Sequence, residues 1–423
     1  MSPIRPLVQV VGRRHLPETH ALVDFLTRTA QPYEFQDAAY PEGQRLLEAA
    51  AVTEDDLPVV IEGDAVHRRA TPRSVAAAWN ESGNRPRRDH YDLAIIGAGP
   101  AGLAAAVYAA SDGLSTIVFE RDVPGGQASH TSLIENFFGF PEGIGGAELA
   151  RLAGRQAEKF GAELMLLNGV EEGKPGDGAI RIEALSGDKV TARVAIAAPG
   201  MDWRRLDVPG LEELLGRGIY YGAGRSEALQ CGGDNVVVIG AGNSAGQAVM
   251  HLAEAGARAK LIVRGDRLGK SMSAYLVDRI EAHPSIEVRL RSRETAVHAR
   301  DAHLEAVTVT DADGREERLP AIALFVCIGG QPRTGWAAES GVRTDPAGYL
   351  LTGPDLLEHG RRPAEWPLER DPLVLETSVP GLFAAGDVRH GSIKRVGGAV
   401  GEGATAVALA HRRLDELAAA DTG

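Results

Sequence analysis

YDLAIIGAGPAGLAAAVYAASDGLSTIVFERD, from Tyr91 to Asp122, is the stretch on which the fold turns. Its apolar start, Asp92–Ile96, reads as a buried strand running into Gly97, Gly99 and Gly102, and an alanine-rich helix follows from Pro100 and Ala101. A second strand, Ser115–Phe119, ends at Glu120 and Arg121. Each part has a mechanical reason. Glycines permit a tight turn and the close approach of a pyrophosphate, the helix N-terminus favours its negative charge, and an acid about twenty residues on accepts hydrogen bonds from a ribose. Strand, glycines, helix, strand and acid in that order predict a Rossmann-like unit holding a dinucleotide; the competing reading is a packing motif alone.

The pattern recurs. DNVVVIGAGNSAGQAVMHLAEAGARAKLIVRGDRLGK, Asp234–Lys270, offers a strand, a turn of Gly240, Gly242, Asn243, Ser244 and Ala245, a helix, and a second strand ending at Val263. Arg264 then stands where an acid would repel a 2'-phosphate, and Arg264, Arg267 and Lys270 supply charge to neutralise one. NADPH is expected over NADH, unless these cations form only a solvated rim. Two dinucleotide sites in one chain imply a relay, in which one nucleotide delivers hydride to a tightly held flavin.

Residues 1–80 read as a separate small α/β unit, joined through a polar linker at 81–90. PLVQVVG, YEFQDA and LPVVIEG read as strands, alternating with helices ETHALVDFLTR, GQRLLEAAA and TPRSVAAAWN. This order resembles the thioredoxin/glutaredoxin fold, with Pro58 at the place of that fold's cis-proline. Leu16, Pro17, Glu18 and Thr19 stand where its CxxC would fall, so the resemblance implies the fold without the redox chemistry. The same residues fit an unrelated α/β module.

A chain of 423 residues is expected to divide into two or three domains. Its formal charge of -13 argues against general affinity for nucleic acid or acidic membranes, which need a basic footprint. Two cysteines, Cys231 and Cys327, form no CxxC pair, which disfavours a disulfide framework or a zinc site. Without an apolar run of roughly 18 to 20 residues or a signal-peptide h-region, a soluble cytoplasmic protein is expected.

Two further stretches make the resemblance specific. RDVPGGQASHTSLIENFFGFPEGIGGAELA follows Glu120, and TSVPGLFAAGDVRHGSIKRVGGAVGEGATAVALA lies near the C-terminus. With the two glycine turns, they closely resemble the low-molecular-weight thioredoxin reductase family of FAD- and NADPH-dependent enzymes. The resemblance implies an FAD domain at 91–207 and 322–423, an NAD(P)H domain inserted at 208–321, and a homodimer. It implies that Gly97, Gly99 and Gly102 cradle the FAD pyrophosphate, with Pro100, Ala101 and Arg121 in the same set, and that Glu120 holds the adenosine ribose. Gly126 and Gln127 match a loop packed along the flavin, and Asn136 matches a further flavin contact. Gly386 and Asp387 match the ribityl or pyrophosphate site, and Lys394, Arg395 and Val396 the turn facing the flavin pyrimidine. Taken singly, Asn136 also reads as a turn cap, Asp387 as an N-cap and Gln127 as a loop polar group.

One departure decides the expected function. Ala223, Gly224, Arg225 and Ser226 occupy the places of the family's redox Cys-x-x-Cys, and neither alanine nor serine accepts electrons as a disulfide does. Cys231 and Cys327 read as structural. Glu227 follows directly and either serves a proton relay or only solvates its loop. The expectation is an FAD-dependent NAD(P)H oxidoreductase without the redox disulfide, passing electrons from reduced FAD to an external acceptor, a small redox protein or a small molecule. A flavin-bound sensor or docking protein with little turnover is the alternative, and thioredoxin-disulfide reduction through Cys231 ranks third.

Overall fold

The computed structural model describes residues 7–14, 16–79, 85–131, 133–176, 178–221, 231–270, 272–301 and 303–421. It begins with β1 (Val8–Gly12) and α1 (Pro17–Arg28). Pro17 opens α1, where its missing N–H costs no helical bond, and Arg28 sits in the last turn, where a cation suits the helix dipole. Leu22, Val23, Phe25 and Leu26 form its buried face. β2 (Tyr33–Asp37) pairs parallel with β1, and α2 (Pro41–Ala49) comes next. β3 (Val59–Glu62) pairs antiparallel with β1, and β4 (Ala65–His67), a strand absent from the sequence reading, extends the sheet to the order β2-β1-β3-β4. The Leu57–Pro58 peptide is cis. α3 (Pro72–Ala78), capped by Thr71, closes the layer.

This layer is packed onto the unit that carries the first glycine turn. Val123, just beyond Glu120, is buried in one apolar cluster with Val8, Leu22, Phe25 and Trp79, and Leu167 packs against it.

The second sheet comprises β5 (His90–Ile96), β6 (Thr116–Phe119), β7 (Glu163–Met165), β8 (Val170–Gly176), β9 (Ala179–Ala184) and β10 (Lys189–Ala197), in the order β7-β6-β5-β10-β9-β8. β5, β6, β7 and β10 run parallel, while β8 and β9 form an antiparallel flank. One face buries Leu93, Ile95, Val118 and Ile196 beneath α4 (Pro100–Ser111), whose alanines allow close approach, and α5 (Gly146–Lys159) packs beside it.

The chain leaves through β11 (Met201–Trp203) and enters a parallel sheet. There β12 (Ile219–Tyr221), β13 (Asn235–Ile239), α6 (Asn243–Glu254), β14 (Arg258–Ile262), α7 (Ala274–Ala282) and β15 (Ile286–Arg289) precede a three-stranded antiparallel sheet. That small sheet is β16 (Arg293–Arg300), β17 (His303–Thr310) and β18 (Glu316–Pro320). β19 (Ala323–Val326) then inserts between β12 and β13. Both β19 and Cys327 pack with this sheet, past residue 321, because β19 is needed to bridge β12 and β13. β20 (Gly330–Pro332) returns antiparallel to β11, β21 (Leu382–Ala384) joins β10 in parallel, and α8 (Val396–Asp421) crosses α4.

A charged knot fixes that return. Arg370 donates from Nη1 to Glu376 Oε2 at 2.6 Å and from Nε to Glu416 Oε1 on α8 at 2.6 Å. Glu376 is fully buried and also accepts the N–H groups of Leu373 (2.9 Å) and Gly381 (3.0 Å), just before β21. Removing the guanidinium leaves a buried carboxylate without its cation, so Arg370→Ala is expected to cost about 3–5 kcal/mol in a denaturant unfolding series. A loss below roughly 1 kcal/mol would show that the knot does not hold β21 to α8.

Candidate active site

The first glycine turn is shaped by close backbone contacts. Gly97 has φ +102°, and a Cβ there would lie 2.3 Å from the Ala198 carbonyl oxygen. A Cβ on Gly102 would come within 1.8 Å of the Gly97 carbonyl oxygen, so glycine is obligatory for α4 to start so close to β5. Gly99 differs: a Cβ there meets nothing within 4 Å. Its open side faces a cleft of about 520 Å³.

That cleft gathers most of the expected residues. Gly99, Pro100, Ala101, Glu120, Arg121, Gly126, Gln127, Asn136, Gly386, Asp387, Lys394, Arg395 and Val396 all line it, although they come from four separate stretches of chain. Gly97 and Gly102 stand behind it as the turn's frame.

The side chains are held individually. Glu120 is buried, and its carboxylate accepts the N–H of Ala98 at 2.7 Å and of Asp122 at 2.9 Å. Burial pushes its pKa up, against the pull of those two donors. Arg121 donates to Asp202 at 2.9 Å, and Arg333 donates to the same Oδ1 at 2.5 Å. Gly126 (φ +53°) turns beside the Gly99 Cα, and Gln127 Nε2 donates to the Met201 carbonyl at 2.7 Å.

At the far end, Gly386 N–H donates to Glu402 Oε2 at 2.7 Å, and Arg389 clamps the same carboxylate with bonds of 2.6 and 3.2 Å. Asp387, the next residue, is pushed up by burial and pulled back by Lys394. Lys394 is itself pushed down by burial, with Asp387 opposing, and donates to the Asp387 carbonyl and to Ser392, both at 2.6 Å. Its ammonium also lies 4.3 Å from the Tyr349 ring centre. The start of α8 adds its positive dipole end, favouring negative charge there.

The second glycine turn meets the same cleft at its rim. Asn243 and Ser244 line it alongside Gln247 and Cys327. Asn243 Oδ1 accepts Ser273 N–H at 2.7 Å, tying α6 to α7. Gly240 (φ +147°) carries no Cβ to strike the Cys327 carbonyl, which would be 2.3 Å away, Gly242 precedes α6 in extended conformation, and Ala245 is buried. Arg264, Arg267 and Lys270 are exposed beyond β14 and do not line the cleft. Ala223, Gly224, Arg225, Ser226 and Glu227 lie outside the described residues.

Sequence reasoning missed Glu402, Arg28 and His130. Glu402 sits in the GEG of the C-terminal motif, where an acid between two glycines is a visible signal. Arg28 and His130 line the cleft with no local signal, because Arg28 arrives from α1. A second cavity of about 650 Å³ shares Arg121, His130, Asp202 and Trp203 with the first and is walled by His20, Tyr220 and Tyr221. There Tyr220 pairs with His20 at 5.1 Å and stacks on Phe325 at 5.5 Å, so it is a packing residue.

A model of the pyridine nucleotide-disulphide oxidoreductase family matches residues 91–403. The chain belongs to this family. It is 31% identical over 330 residues to the thioredoxin reductase of Bacillus subtilis (strain 168), covering 77% of this chain and 96% of that one. The thioredoxin reductase of Listeria monocytogenes serovar 1/2a is 32% identical, over 77% of this chain and 95% of its own. The crystal structure of T. acidophilum thioredoxin reductase superposes with a TM-score of 0.68 at 29% identity, covering 78% of this chain and 100% of that one. As a pyridine nucleotide-disulphide oxidoreductase, the protein is an FAD-dependent enzyme working with NADPH. Among the described residues, no helix is long and apolar enough to cross a membrane.

FAD fits the cleft's chemistry. The empty side of Gly99 admits a pyrophosphate at the α4 N-terminus, and Glu120 keeps acceptor capacity for hydroxyl donors. Gly99→Ala is expected to leave the thermal midpoint within about 2 °C but to weaken FAD binding about tenfold or more, read by flavin fluorescence. Gly102→Ala, whose Cβ has no room, is expected to lose soluble folded protein. Equal FAD affinity in Gly99→Ala and the unaltered chain would remove the turn from the FAD site.

His130 gives a pH signature. Burial, and then Arg28, depress its pKa from 6.5 to about 4, with Asp24 and Asp122 opposing and His20 adding to the depression. Between those values the unfolded chain takes up the proton and the folded one does not, so stability falls as pH drops from 6.5 toward 4. With a quarter of the side chain exposed, the loss attributable to His130 is about 1–2 kcal/mol. His130→Asn should flatten that part of the unfolding-versus-pH curve; an unchanged slope would assign the loss to other groups.

Proposed function

We propose that the protein is an FAD-dependent NAD(P)H oxidoreductase that works without an internal redox disulfide and delivers electrons to an external acceptor. The observation carrying this reading is the state of its sulfur. Cys231 and Cys327 are the cysteines of the chain, both are buried, at 3% and 6% exposure, and neither enters a disulfide. Exchange with a partner's disulfide needs an accessible thiolate and a second thiol to resolve the product. Ala223 and Ser226, at the places of the family's pair, offer neither.

In this reading the units divide as an FAD domain (91–207 and the chain beyond Cys327), an NAD(P)H domain (208–321 extended through β19 and Cys327, which pack with its sheet) and a thioredoxin-like N-terminal domain, whose sheet order β2-β1-β3-β4 supports the resemblance. FAD, when bound, supplies two-electron storage between NADPH and the acceptor. The chain's own residues do the rest. Gly97, Gly99, Pro100, Ala101 and Gly102 would present the α4 N-terminus to the pyrophosphate, and Glu120 and Arg121 would hold the ribose. Gly126, Gln127 and Asn136 line one wall; Gly386 and Asp387 hold the middle. Lys394, Arg395 and Val396 concentrate positive potential at the far end, which favours an electron-rich ring. Asn243 and Ser244, at the rim, bring the α6 turn toward the same space, and Arg264, Arg267 and Lys270 are available to a 2'-phosphate.

A second reading, a flavin-bound sensor or docking protein, draws on α1 touching both halves: Arg28 bonds Asp122 while His20 pairs with Tyr220. We infer a homodimer with a small redox protein or small molecule as acceptor. Anaerobic mixing separates the readings. NADPH is expected to bleach the flavin absorbance with an affinity about tenfold above that of NADH, and oxidised thioredoxin is expected to stay unreduced. Bleaching by neither nucleotide would sink the oxidoreductase reading in favour of the sensor, and sustained thioredoxin reduction would sink the disulfide-free one.

A further inference from the structure

We propose that Arg28, on α1 of the N-terminal layer, is a positioning residue for the adenosine end of the FAD site, so that the N-terminal layer completes that site. The inference rests on the cleft being the FAD site, as proposed above. Arg28 enters from a different sheet, yet its side chain is 10% exposed and lines the cleft.

Its guanidinium serves two chains of hydrogen bonds. Nε donates to Ser129 Oγ at 3.0 Å, and that hydroxyl donates to the Gly126 carbonyl at 2.7 Å. This fixes the left-handed turn at Gly126, where a Cβ would stand 3.5 Å from the Gly99 Cα. In the other direction, Nη2 donates to Asp122 Oδ2 at 2.8 Å, and the Asp122 N–H donates to Glu120 Oε1 at 2.9 Å. One planar fork therefore holds the two loops that flank the turn where a pyrophosphate and ribose bind. A third bond, Nη1 to Asp24 Oδ2 at 3.3 Å, anchors the fork to its own helix.

The pairing is stable in charge. Burial would lower the Arg28 pKa, but Asp24 and Asp122 outweigh it and hold it above its ordinary value. His130, depressed to about 4, adds no competing cation near neutral pH. Apolar packing of Val123 and Leu167 on the layer keeps α1 in place behind the fork. Lysine cannot reproduce the geometry, since an ammonium is a point charge without a planar fork.

The test uses the full chain stripped of flavin and titrated with FAD, alongside the thermal midpoint of each apo-protein. Arg28→Ala is expected to raise the FAD dissociation constant about tenfold, and Ser129→Ala, which cuts one of the two chains, about threefold. Arg28→Lys keeps charge and bulk; it is expected to recover the midpoint while its FAD affinity stays at least about threefold below that of the unaltered chain. Unaltered affinity in both Arg28→Ala and Ser129→Ala overturns the proposal, as does an affinity loss that simply tracks the midpoint across the three variants. If the unaltered chain does not bind FAD, the reading of the cleft fails and this inference fails with it.

Discussion

Everything around the cleft depends on how closely the first turn of α4 can be approached. Gly102 lets α4 start against the Gly97 carbonyl, where a Cβ would stand at 1.8 Å. From the other side, Gly403 of α8 meets the Ala101 carbonyl, where a Cβ would stand at 2.1 Å. Gly386 approaches from a third direction, with a hypothetical Cβ 3.0 Å from that of Ala101. Any side chain at these glycines would push apart β5, β21 and the two helices at once. The cleft is the space left when three backbone segments close on one helical turn.

Buried and partly buried carboxylates then fix the surrounding loops. Glu120 gathers the N–H groups of Ala98 and Asp122, Glu402 gathers Gly386 N–H and Arg389, and Glu376 gathers Leu373, Gly381 and Arg370. In each case an acid accepts backbone donors that a loop cannot pair by itself, which is the condition for burying irregular backbone. Glu376 and Glu402 also neutralise an arginine, so their charge is retained by a direct partner. Glu120 instead depends on backbone dipoles, and burial accordingly raises its pKa.

What was legible in the sequence was local. The two glycine turns, their helices and the acid at residue 120 lie within a few tens of residues, and each carries its own steric requirement, so Gly97, Gly102 and Gly240 could be read directly. The order of the small N-terminal strands was also readable, although β4 was too short to show a period. Contacts between distant segments were not. Arg28 reaches Asp122 and Ser129 across about a hundred residues, and an arginine at the end of an amphipathic helix looks the same whether it faces solvent or a carboxylate. The placement of β19 was obscured in a similar way. An apolar run fits either parallel sheet, and only pairing with both β12 and β13 decides between them.

The connection between the two parallel sheets transmits force as well as chain. β11 and β20 form a ribbon of two short strands, and Asp202 on that ribbon accepts from Arg121, beside Glu120, and from Arg333, just beyond β20. Two cations share one carboxylate oxygen, so neither can leave without unbalancing the other. The same ribbon presents the Met201 carbonyl to Gln127. A twist of the ribbon therefore acts on both Arg121 and Gln127, which line the cleft. α1 touches this arrangement at both ends, through Arg28 at Asp122 and through His20 at Tyr220 on β12. Rotation of one sheet against the other must break or carry at least one of these contacts. The N-terminal layer is thus mechanically coupled to the relation between the sheets, whatever its own chemistry, because its first helix is fastened on either side of the ribbon.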